Sequence, residues 1–324
     1  MCTAVTYRTK DHYFGRNLDL GYSYREAVTI VPRNFSFRFR CAGELEHHYA
    51  MIGMAYVVDD YPLFYDATNE KGLSIAALNF PGNADYKPEI MGKDNIAPFE
   101  LISWLLGQCA NLGEARDLLG NINIVKMDFS NELPLSPLHW MITDRDGAIV
   151  LECMKDGLKV CDNPAGVLTN NPPFDMQMFN LNNYMHLTRE RPRNTFSNRL
   201  NLECYSNGMG AIGMPGDLSS MSRFVRAAFA RMNSVSGESE AESVSQFFHI
   251  LGSVAQQRGL VHMGNGKYEI TVYSSCCNTD RGIYYYTTYE NSRITGVDMH
   301  REDLNGDGLV SYPLITDQQI GMQN

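Results

Sequence analysis

The first residues of the chain bring together groups that could carry out acyl transfer. The sequence begins MCTAVTYRTKDHYFGRNLDL, so removal of Met1 would leave Cys2 with a free α-amine beside its thiol. Such an amine has a pKa of roughly 7.7 to 8.0, so part of it is neutral near pH 7 and can take up the thiol proton. Cys2 is therefore a candidate nucleophile that carries its own base. The competing interpretation is a small second residue that merely permits removal of methionine.

Four polar residues could assist this nucleophile. Arg16 would stabilise a nearby thiolate, and Asp19 could accept a hydrogen bond from the amine. Asn79 in ALNFP and Asn170 in VLTNNPP end strand-like segments, where they could donate hydrogen bonds to a developing oxyanion. Each asparagine could equally belong to an ordinary turn, which is the more common use of this residue.

The segment that carries the first groups is typical of a β-hairpin. A two-residue loop at Lys10–Asp11 would place Cys2 opposite Asp19, and so bring a carboxylate next to the thiol. Strict alternation then puts Arg16 on the other face of the hairpin. A bulge near Gly15 or a turn through RNLD would bring Arg16 back, and the sequence leaves this choice open.

The rest of the chain alternates runs of strands with groups of helices. The strand-like segments are AVTIVP, YAMIGMAYVV, GLSIAALNF, LHWMITD, AIVLECM, LKVCDN, GVLTN, YEITVYSSC, GIYYYTTY and ITGVDMH. The helix-like segments are APFELISWLLGQCANL, LGEARDLLG, SSMSRFVRAAFARM and EAESVSQFFHILGSVAQQR. Because consecutive strands are joined by short turns, they favour antiparallel sheets. We expect an α+β fold, a four-layer αββα sandwich of two antiparallel sheets, in a single domain spanning 1–324.

One stretch lacks this regular pattern. Residues 180–207 are rich in Asn, Arg and Pro and show neither helical nor strand periodicity. Long irregular segments inside a compact domain are usually functional. We therefore expect 180–207 to be an arm that contacts another subunit.

Composition and charge exclude several classes of protein. The 324 residues are 44% hydrophobic and carry a formal net charge of −10, which argues against binding to nucleic acid. No apolar run approaches the roughly 18 residues that a membrane span needs. The N-terminus lacks the apolar core of a secretory signal, so we expect a cytoplasmic protein with mostly reduced cysteines.

Three other patterns do not predict sites. GMGAIG at 208–213 resembles a dinucleotide-binding loop, but Pro215 prevents the helix that such a loop must open. DLNGDG at 303–308 resembles the start of a calcium loop, but Leu314 stands where the closing Glu is required. The histidines show no metal-binding spacing, and His139, within an apolar run, is expected to be packed in the core. We expect no metal and no cofactor.

Several long motifs make the chain resemble the choloylglycine hydrolase family, whose members are bile salt hydrolases and penicillin V acylases. They are MCTAVTY, FGRNLDL, VPRNF, NEKGLSIAALNFPG, GVLTNNPPFD, MPGDLSSMSRFVRAAF and RGIYYYTTYEN. The resemblance extends from residue 1 to about residue 300. It implies the αββα fold of N-terminal nucleophile hydrolases, a cytoplasmic bacterial enzyme without cofactors, and a homotetramer.

The resemblance also implies an active site. The matching positions are Cys2, Arg16, Asp19, Asn79, Asn170 and Arg223. Cys2 matches the nucleophile that is exposed when Met1 is removed. Arg16 and Asp19 match residues that tune the thiol and hold the amine. Asn79 and Asn170 match the oxyanion hole, and Arg223 matches the arginine of the PGD…SR motif.

The substrate follows from the same resemblance. Asn at position 79 is typical of bile salt hydrolases, whereas many penicillin V acylases carry Tyr there. The segments GYSYREA, DDYPLFYDA and MDFSNELPL correspond to substrate-contacting loops and offer apolar side chains suited to a steroid. The candidate substrate contacts are Leu18, Tyr24, Phe64, Tyr65 and Leu133, each of which could instead belong to the core.

We therefore expect hydrolysis of glycine- or taurine-conjugated bile acids through a Cys2 thioester. A penicillin V acylase is the alternative within the family. A non-catalytic protein that binds amphipathic anions is the alternative of another class, and in it Cys2 would only permit methionine removal. Retention of Met1 would favour this last alternative.

Overall fold

Two large β-sheets dominate the computed structural model, which describes residues 1–324. The strands are β1 (Cys2–Arg8), β2 (His12–Leu20), β3 (Ala27–Val31), β4 (Phe37–Phe39), β5 (Gly43–Leu45), β6 (Met51–Val58), β7 (Tyr61–Asn69), β8 (Ser74–Asn79), β9 (Asp94–Ile96), β10 (Ile122–Ile124), β11 (Leu138–Asp144), β12 (Gly147–Met154), β13 (Gly157–Asp162), β14 (Val167–Leu168), β15 (His262–Gly264), β16 (Lys267–Tyr268), β17 (Ile270–Asn278), β18 (Ile283–Thr288), β19 (Thr295–Asp298) and β20 (Val310–Pro313). The helices are α1 (Leu101–Gln108), α2 (Leu112–Leu119), α3 (Phe174–Asn180), α4 (Ser220–Asn233) and α5 (Glu240–Gly252).

Both large sheets are antiparallel throughout. The six-stranded sheet has the order β14-β1-β2-β17-β18-β19, and the eight-stranded sheet has the order β13-β12-β11-β8-β7-β6-β3-β20. Three two-stranded sheets, β4–β5, β9–β10 and β15–β16, lie outside them. The strand order places β14, which is distant in sequence, directly beside β1.

Two apolar cores separate the layers. A cluster of 36 buried residues joins both sheets to α4 and α5 and includes Leu78, Phe14 and Phe247. A second cluster of 27 buried residues, including Trp140 and Leu105, joins the eight-stranded sheet to α1 and α2. The order of layers is therefore helices, sheet, sheet, helices, because alternating strand residues bury both faces of each sheet. The predicted αββα architecture is confirmed.

The β1–β2 hairpin differs from the prediction by one residue. Arg8 pairs with His12, so the loop has three residues rather than two. The Thr9 N–H closes the loop by donating to the carbonyl of Asp11 at 3.0 Å, instead of joining the ladder. The expected pairing of Cys2 with Asp19 is therefore wrong.

The corrected register changes which residues share a face. Cys2 pairs with Leu18, and Ala4 pairs with Arg16. Because directly opposite residues point to the same side, Cys2 and Arg16 both face the gap between the sheets, without the bulge or turn considered above. Asp19 points to the opposite face, towards α4.

The segment DDYPLFYDA is a strand rather than a loop. It belongs to β7, which pairs with β6 through a two-residue turn at Asp59 and Asp60, both of which have positive φ. Such a turn requires the left-handed region at both central residues, and Asp tolerates it better than most residues do. A bulge at Tyr65 interrupts the pairing.

The segment predicted to be irregular, 180–207, is so only from residue 185. Asn180 ends α3 and Leu181–Tyr184 form a 3₁₀ turn, whereas 185–207 form no helix or strand. Residues 208–213 form a loop with one short 3₁₀ turn, as expected. The segment 303–308 is a turn. No helix has the length and apolar character needed to cross a bilayer.

Candidate active site

Cys2 begins the strand that lies between β2 and β14. Its side chain is 3% exposed, and its backbone N–H donates to the side-chain oxygen of Asn170 at 2.8 Å. Asn170 follows β14 by two residues, so the pairing of β14 with β1 brings the two residues together. An asparagine 168 residues away in sequence thus contacts the start of the chain.

The orientation of the Asn170 amide is fixed by its neighbours. Its Oδ1 accepts from Cys2 N–H and from Arg223 Nη2 at 2.8 Å, and both partners can only donate. Its Nδ2 consequently faces the backbone carbonyl of Asn79 at 2.7 Å. The main chain of Asn170 is held by Ser220 and Gln177. The amide therefore links the ends of β1, β8 and β14.

Arg223 of α4 is fully buried and binds the backbone around Cys2. Its Nη1 donates to the Cys2 carbonyl and to Thr3 Oγ1 at 2.7 Å, and its Nε donates to the Leu218 carbonyl at 3.1 Å. Burial of a guanidinium is costly unless its N–H groups are satisfied. Burial lowers the pKa of Arg223, and the charge of Asp19 opposes this shift.

Asp19 lies close to Arg223 but does not form a hydrogen-bonded pair with it. Asp19 Oδ1 accepts from Thr271 Oγ1 at 2.6 Å, whereas Oδ2 lies 3.9 Å from Arg223 Nη1 and has no hydrogen-bond partner. Burial raises the pKa of Asp19 to about 6, although Arg223, the N-terminal amine and the Thr271 hydrogen bond act in the opposite direction. A proton on Asp19 is therefore available in mildly acidic solution.

The N-terminal amine lies in an acidic environment that the sequence did not indicate. In the full chain this amine belongs to Met1, and it donates to the Asp19 carbonyl at 2.6 Å and to the side chain of Glu269. Glu269 is 5% exposed. Its only sequence signal is an acidic residue immediately before a buried strand, which is not specific.

Arg16 inserts its side chain into the opposite sheet. Strands β7 and β8 pair only through three residues each, ending at Asp66 and Ala76, and then separate. Arg16 Nη1 donates to the carbonyls of the next residues, Tyr65 at 3.0 Å and Ala77. Arg16 Nη2 is buried without a partner. The guanidinium thus occupies the split between two strands, and one of its nitrogens has no hydrogen-bond partner.

Asp66 is a buried carboxylate near Arg16 that the sequence analysis missed. Its oxygens accept hydrogen bonds from Tyr273 and Tyr284, both at 2.7 Å, and from Ser275 at 3.1 Å, all on the other sheet. Burial raises the pKa of Asp66, and the charge of Arg16 opposes the rise. An isolated Asp within an apolar segment gives no sequence signal for such a network.

An apolar cavity of about 430 Å³ begins where Arg16 contacts the eight-stranded sheet. Its wall includes four of the five predicted substrate contacts, namely Tyr24, Phe64, Tyr65 and Leu133. Tyr65 and Ala77, whose backbone carbonyls accept hydrogen bonds from Arg16, both line this cavity. Leu18 is not part of the wall, because it is buried opposite Cys2 in the core.

The six candidate active-site residues occupy two faces of the β1–β2 hairpin. Asn170 and Arg223 contact Cys2 directly, Asn79 joins them through its carbonyl, and Asp19 is next to Arg223. Arg16 shares the side-chain face of Cys2 but forms no hydrogen bond with it. No group of three or more His, Cys, Asp or Glu side chains is arranged to hold a metal ion.

Comparison with known proteins assigns the chain to a family. The family model described as linear amide C–N hydrolases, choloylglycine hydrolase family, matches residues 2–312. The chain belongs to the choloylglycine hydrolase family. The resemblance inferred from its motifs is thus confirmed, as is the assignment to amide hydrolases.

The relatives cover essentially the whole chain. The chain is 56% identical to a bile salt hydrolase/transferase of Lactiplantibacillus plantarum, over 98% of both proteins. It is 40% identical to a bile salt hydrolase/transferase of Clostridium perfringens, over 96% of both.

Solved structures agree with the fold. The crystal structure of a mutant conjugated bile acid hydrolase from Clostridium perfringens matches with a TM-score of 0.92 at 39% identity, over 100% of both chains. Penicillin V acylase from Agrobacterium tumefaciens matches with a TM-score of 0.75 at 17% identity, over 99% of this chain and 100% of that one, which shows the shared fold.

The raised pKa of Asp19 predicts an unusual dependence of stability on pH. Since the folded chain holds this proton up to about pH 6, against an ordinary value of 3.8, Asp19 contributes stability at low pH that is lost as the pH rises through 6. We expect the free energy of unfolding, wild type minus Asp19→Asn, to fall by about 2 kcal/mol between pH 4 and pH 7. Urea unfolding across this range measures it.

Asp217→Asn provides a control of opposite sign. Hydrogen bonds from Ser219 and Ser222 lower the pKa of the exposed Asp217 to about 2, so its contribution is present above pH 4 and is lost on acidification. If the difference in unfolding free energy between wild type and Asp19→Asn stays level or rises with pH, Asp19 is not a buried carboxyl with a raised pKa.

Proposed function

We propose that the chain is a bile salt hydrolase, which cleaves the amide bond of glycine- or taurine-conjugated bile acids. The observation that carries the proposal is the 56% identity, over 98% of both chains, with a bile salt hydrolase/transferase. The buried Cys2 and the apolar cavity lined by Tyr65 and Ala77, which contact Arg16, support it, because they offer a nucleophile and space for a steroid. The enzyme works on conjugated bile salts in the bacterial cytoplasm, a reducing compartment that suits its eight free cysteines.

The reaction begins with removal of Met1, which converts the Cys2 backbone nitrogen into a free amine. This nitrogen already donates to Asn170 Oδ1, so the amine stays oriented after processing. The amine takes the thiol proton, and the thiolate attacks the amide carbonyl of the substrate. The buried Arg16 guanidinium on the same face favours the thiolate form.

Two asparagines stabilise the tetrahedral intermediate. Asn170 Nδ2 carries two N–H groups, and one is used by the Asn79 carbonyl. The other is free to donate to the substrate oxyanion, together with the backbone N–H of Asn79. Such donors act mainly on the transition state, where negative charge develops.

Collapse of the intermediate releases the amino acid and leaves a thioester. The Cys2 amine, now protonated, gives its proton to the departing nitrogen of glycine or taurine, and the acyl group remains on sulfur. Water then attacks the thioester, the amine accepts a proton from it, and the bile acid leaves with the restored thiol. Arg223 holds the Cys2 carbonyl through these steps, and we assign Asp19, 3.9 Å from Arg223, to the amine.

The cavity favours a steroid over the phenoxyacetyl group of penicillin V. Twelve of its 17 lining residues are hydrophobic, and the aromatic side chains of Tyr24, Phe64 and Phe129 present broad flat surfaces. Penicillin V acylase activity remains the rival within the family. Comparing kcat/KM for glycocholate and penicillin V decides between them, and a higher value for penicillin V would overturn the assignment.

Acyl transfer to amines is a second candidate activity. Both relatives described above are named hydrolase/transferase. A thioester reacts with an amine to give an amide and free thiol, so an amino acid could replace water in the last step.

The long irregular segment supports a subunit contact. Met185, Phe196 and Tyr205 are each at least 80% exposed, which leaves much apolar surface in contact with solvent. We propose that 180–207 packs against other copies in a homotetramer of single-domain chains.

Substitution of the nucleophile tests the proposed hydrolysis. We expect Cys2→Ser to lower kcat for glycine release from glycocholate by at least roughly 1,000-fold, since serine lacks a thiolate at neutral pH. Cys41→Ser is the control, because this partly exposed thiol lies outside the site and outside the segment 180–207. Undiminished release by Cys2→Ser, or retention of Met1 in the intact mass of active protein, would refute the mechanism.

Competition between water and an amine tests acyl transfer. Wild-type protein incubated with glycocholate and excess phenylalanine should yield cholyl-phenylalanine, detected by its mass, and Cys2→Ser should yield none. Formation of cholate alone would contradict the transfer activity and leave hydrolysis intact.

Light scattering tests the oligomer. We expect wild-type protein to have the mass of four chains, and Phe196→Ser combined with Tyr205→Ser to shift it to smaller species. Met91→Ser, which changes an exposed apolar residue outside the segment, should have no effect. A monomeric wild type would contradict the proposal.

A further inference from the structure

His139 is a fully buried histidine that bridges the two sheets. It lies on β11, opposite Leu78 of β8, and its side chain points into the gap between the sheets. Its Nε2 donates to the backbone carbonyl of Thr169 at 2.9 Å, and its Nδ1 lies 3.1 Å from Glu152 Oε1. Glu152 is itself only 1% exposed. The pair has no contact with Cys2, and the reaction steps described above make no use of it.

The hydrogen-bond partners fix the orientation of the imidazole. The Thr169 carbonyl can only accept, so Nε2 is the donor of this bond. Glu152 Oε1 accepts the backbone N–H of Phe174 at 3.0 Å and also contacts Nδ1. A single amide atom of Gln at this place could accept from Phe174 or donate to Nδ1 but not both, so Glu152→Gln would lose one of the three contacts.

The imidazole connects the two strand ends that carry Asn79 and Asn170. On one side it binds Thr169, the residue immediately before Asn170. On the other side its ring stacks on Phe80, the residue immediately after Asn79, with centroids 4.2 Å apart and planes 6° apart. Phe80 is also anchored through its N–H to the carbonyl of Pro137 at 2.8 Å.

Other contacts hold each strand end separately. Thr169 Oγ1 donates to Gln177 and receives a bond from Ser220, and both partners lie on the Asn170 side. Two side-chain amides also link the ends directly: Asn170 Nδ2 donates to the Asn79 carbonyl within the site, and Asn171 Nδ2 donates to the Pro81 carbonyl at 2.6 Å. His139 adds a further contact between the two ends from inside the gap between the sheets.

We propose that His139, held by Glu152, is a positioning residue that sets the distance between the Asn170 amide and the Asn79 backbone N–H. The proposal rests on the oxyanion roles of these two asparagines in the proposed function. Transition-state stabilisation falls steeply when donors shift by a fraction of an ångström to one ångström. A residue that acts in this way should affect kcat much more than KM, because the oxyanion forms after substrate binding.

Replacement of His139 by an apolar or an amide side chain separates positioning from packing. We expect His139→Leu to lower kcat for glycocholate by roughly 10- to 100-fold while KM changes by less than about threefold. His139→Gln retains an N–H for the Thr169 carbonyl and should recover most of the loss. Glu152→Gln, which loses one of the three bonds, should fall between wild type and His139→Leu.

A second readout reports on the thiol alone. The rate of Cys2 alkylation by iodoacetamide, followed on the N-terminal peptide, should stay within about twofold of wild type in all three variants, since Arg16 and the amine are untouched. His48→Gln is the matched control. His48 is also a buried histidine placed between two backbone carbonyls, those of Tyr49 and Phe35, but it belongs to a different region of the fold. It should leave kcat unchanged.

Three results would overturn the proposal. The first is a kcat of His139→Leu that is no lower than that of His48→Gln. The second is a loss of kcat in His139→Leu that is matched by an equal loss in the rate of Cys2 alkylation. The third is a loss of kcat in His139→Leu that His139→Gln does not relieve. If His139→Leu does not fold, the comparison of Glu152→Gln with wild type decides. If wild type hydrolyses glycocholate and the His139 and Glu152 variants do so equally well, only the positioning role is refuted. If wild type does not hydrolyse glycocholate, the proposed function is refuted and this inference with it.

Discussion

The site depends on the side-chain amide of Asn170, which is locked in one orientation. Its oxygen accepts from Cys2 and from Arg223, so its nitrogen must face the opposite way, towards the end of β8. Because the Arg223 guanidinium is fully buried, loss of this acceptor would leave a charged group unsatisfied, which is costly. The fold thus has an energetic reason to hold the amide in place, and the same constraint leaves one of its N–H groups for a substrate.

The two faces of the β1–β2 hairpin divide the electrostatic tasks. The thiol of Cys2 and the guanidinium of Arg16 face the gap between the sheets, where Arg16 lies in the split between β7 and β8 beside the cavity. Asp19 and Arg223 lie on the helix-covered face, next to the backbone end of Cys2. The nucleophile can therefore be tuned from one side while the amine is held from the other.

Local sequence patterns predicted the layers and most elements but not the details that place the charges. Strand runs and helix periodicity gave the two antiparallel sheets correctly. The register of β1 and β2 was wrong by one residue, because a loop of two or three residues cannot be distinguished from TKD alone, and that single residue decides which face Arg16 occupies. The contacts of Asp66 and Glu269 were missed because their partners are more than 200 residues away in sequence. Those of His139 were missed because its partners, Glu152 and the Thr169 carbonyl, lie in segments whose placement depends on the sheet topology.

The most direct test of the locked amide is a crystal structure of Met1-free Cys2→Ala protein with glycocholate bound. We expect the carbonyl oxygen of the scissile amide to lie within about 3 Å of Asn170 Nδ2, and the steroid to occupy the cavity lined by Phe64 and Leu133. A structure in which Asn170 Nδ2 points away from that oxygen, or in which the steroid lies outside this cavity, would contradict it.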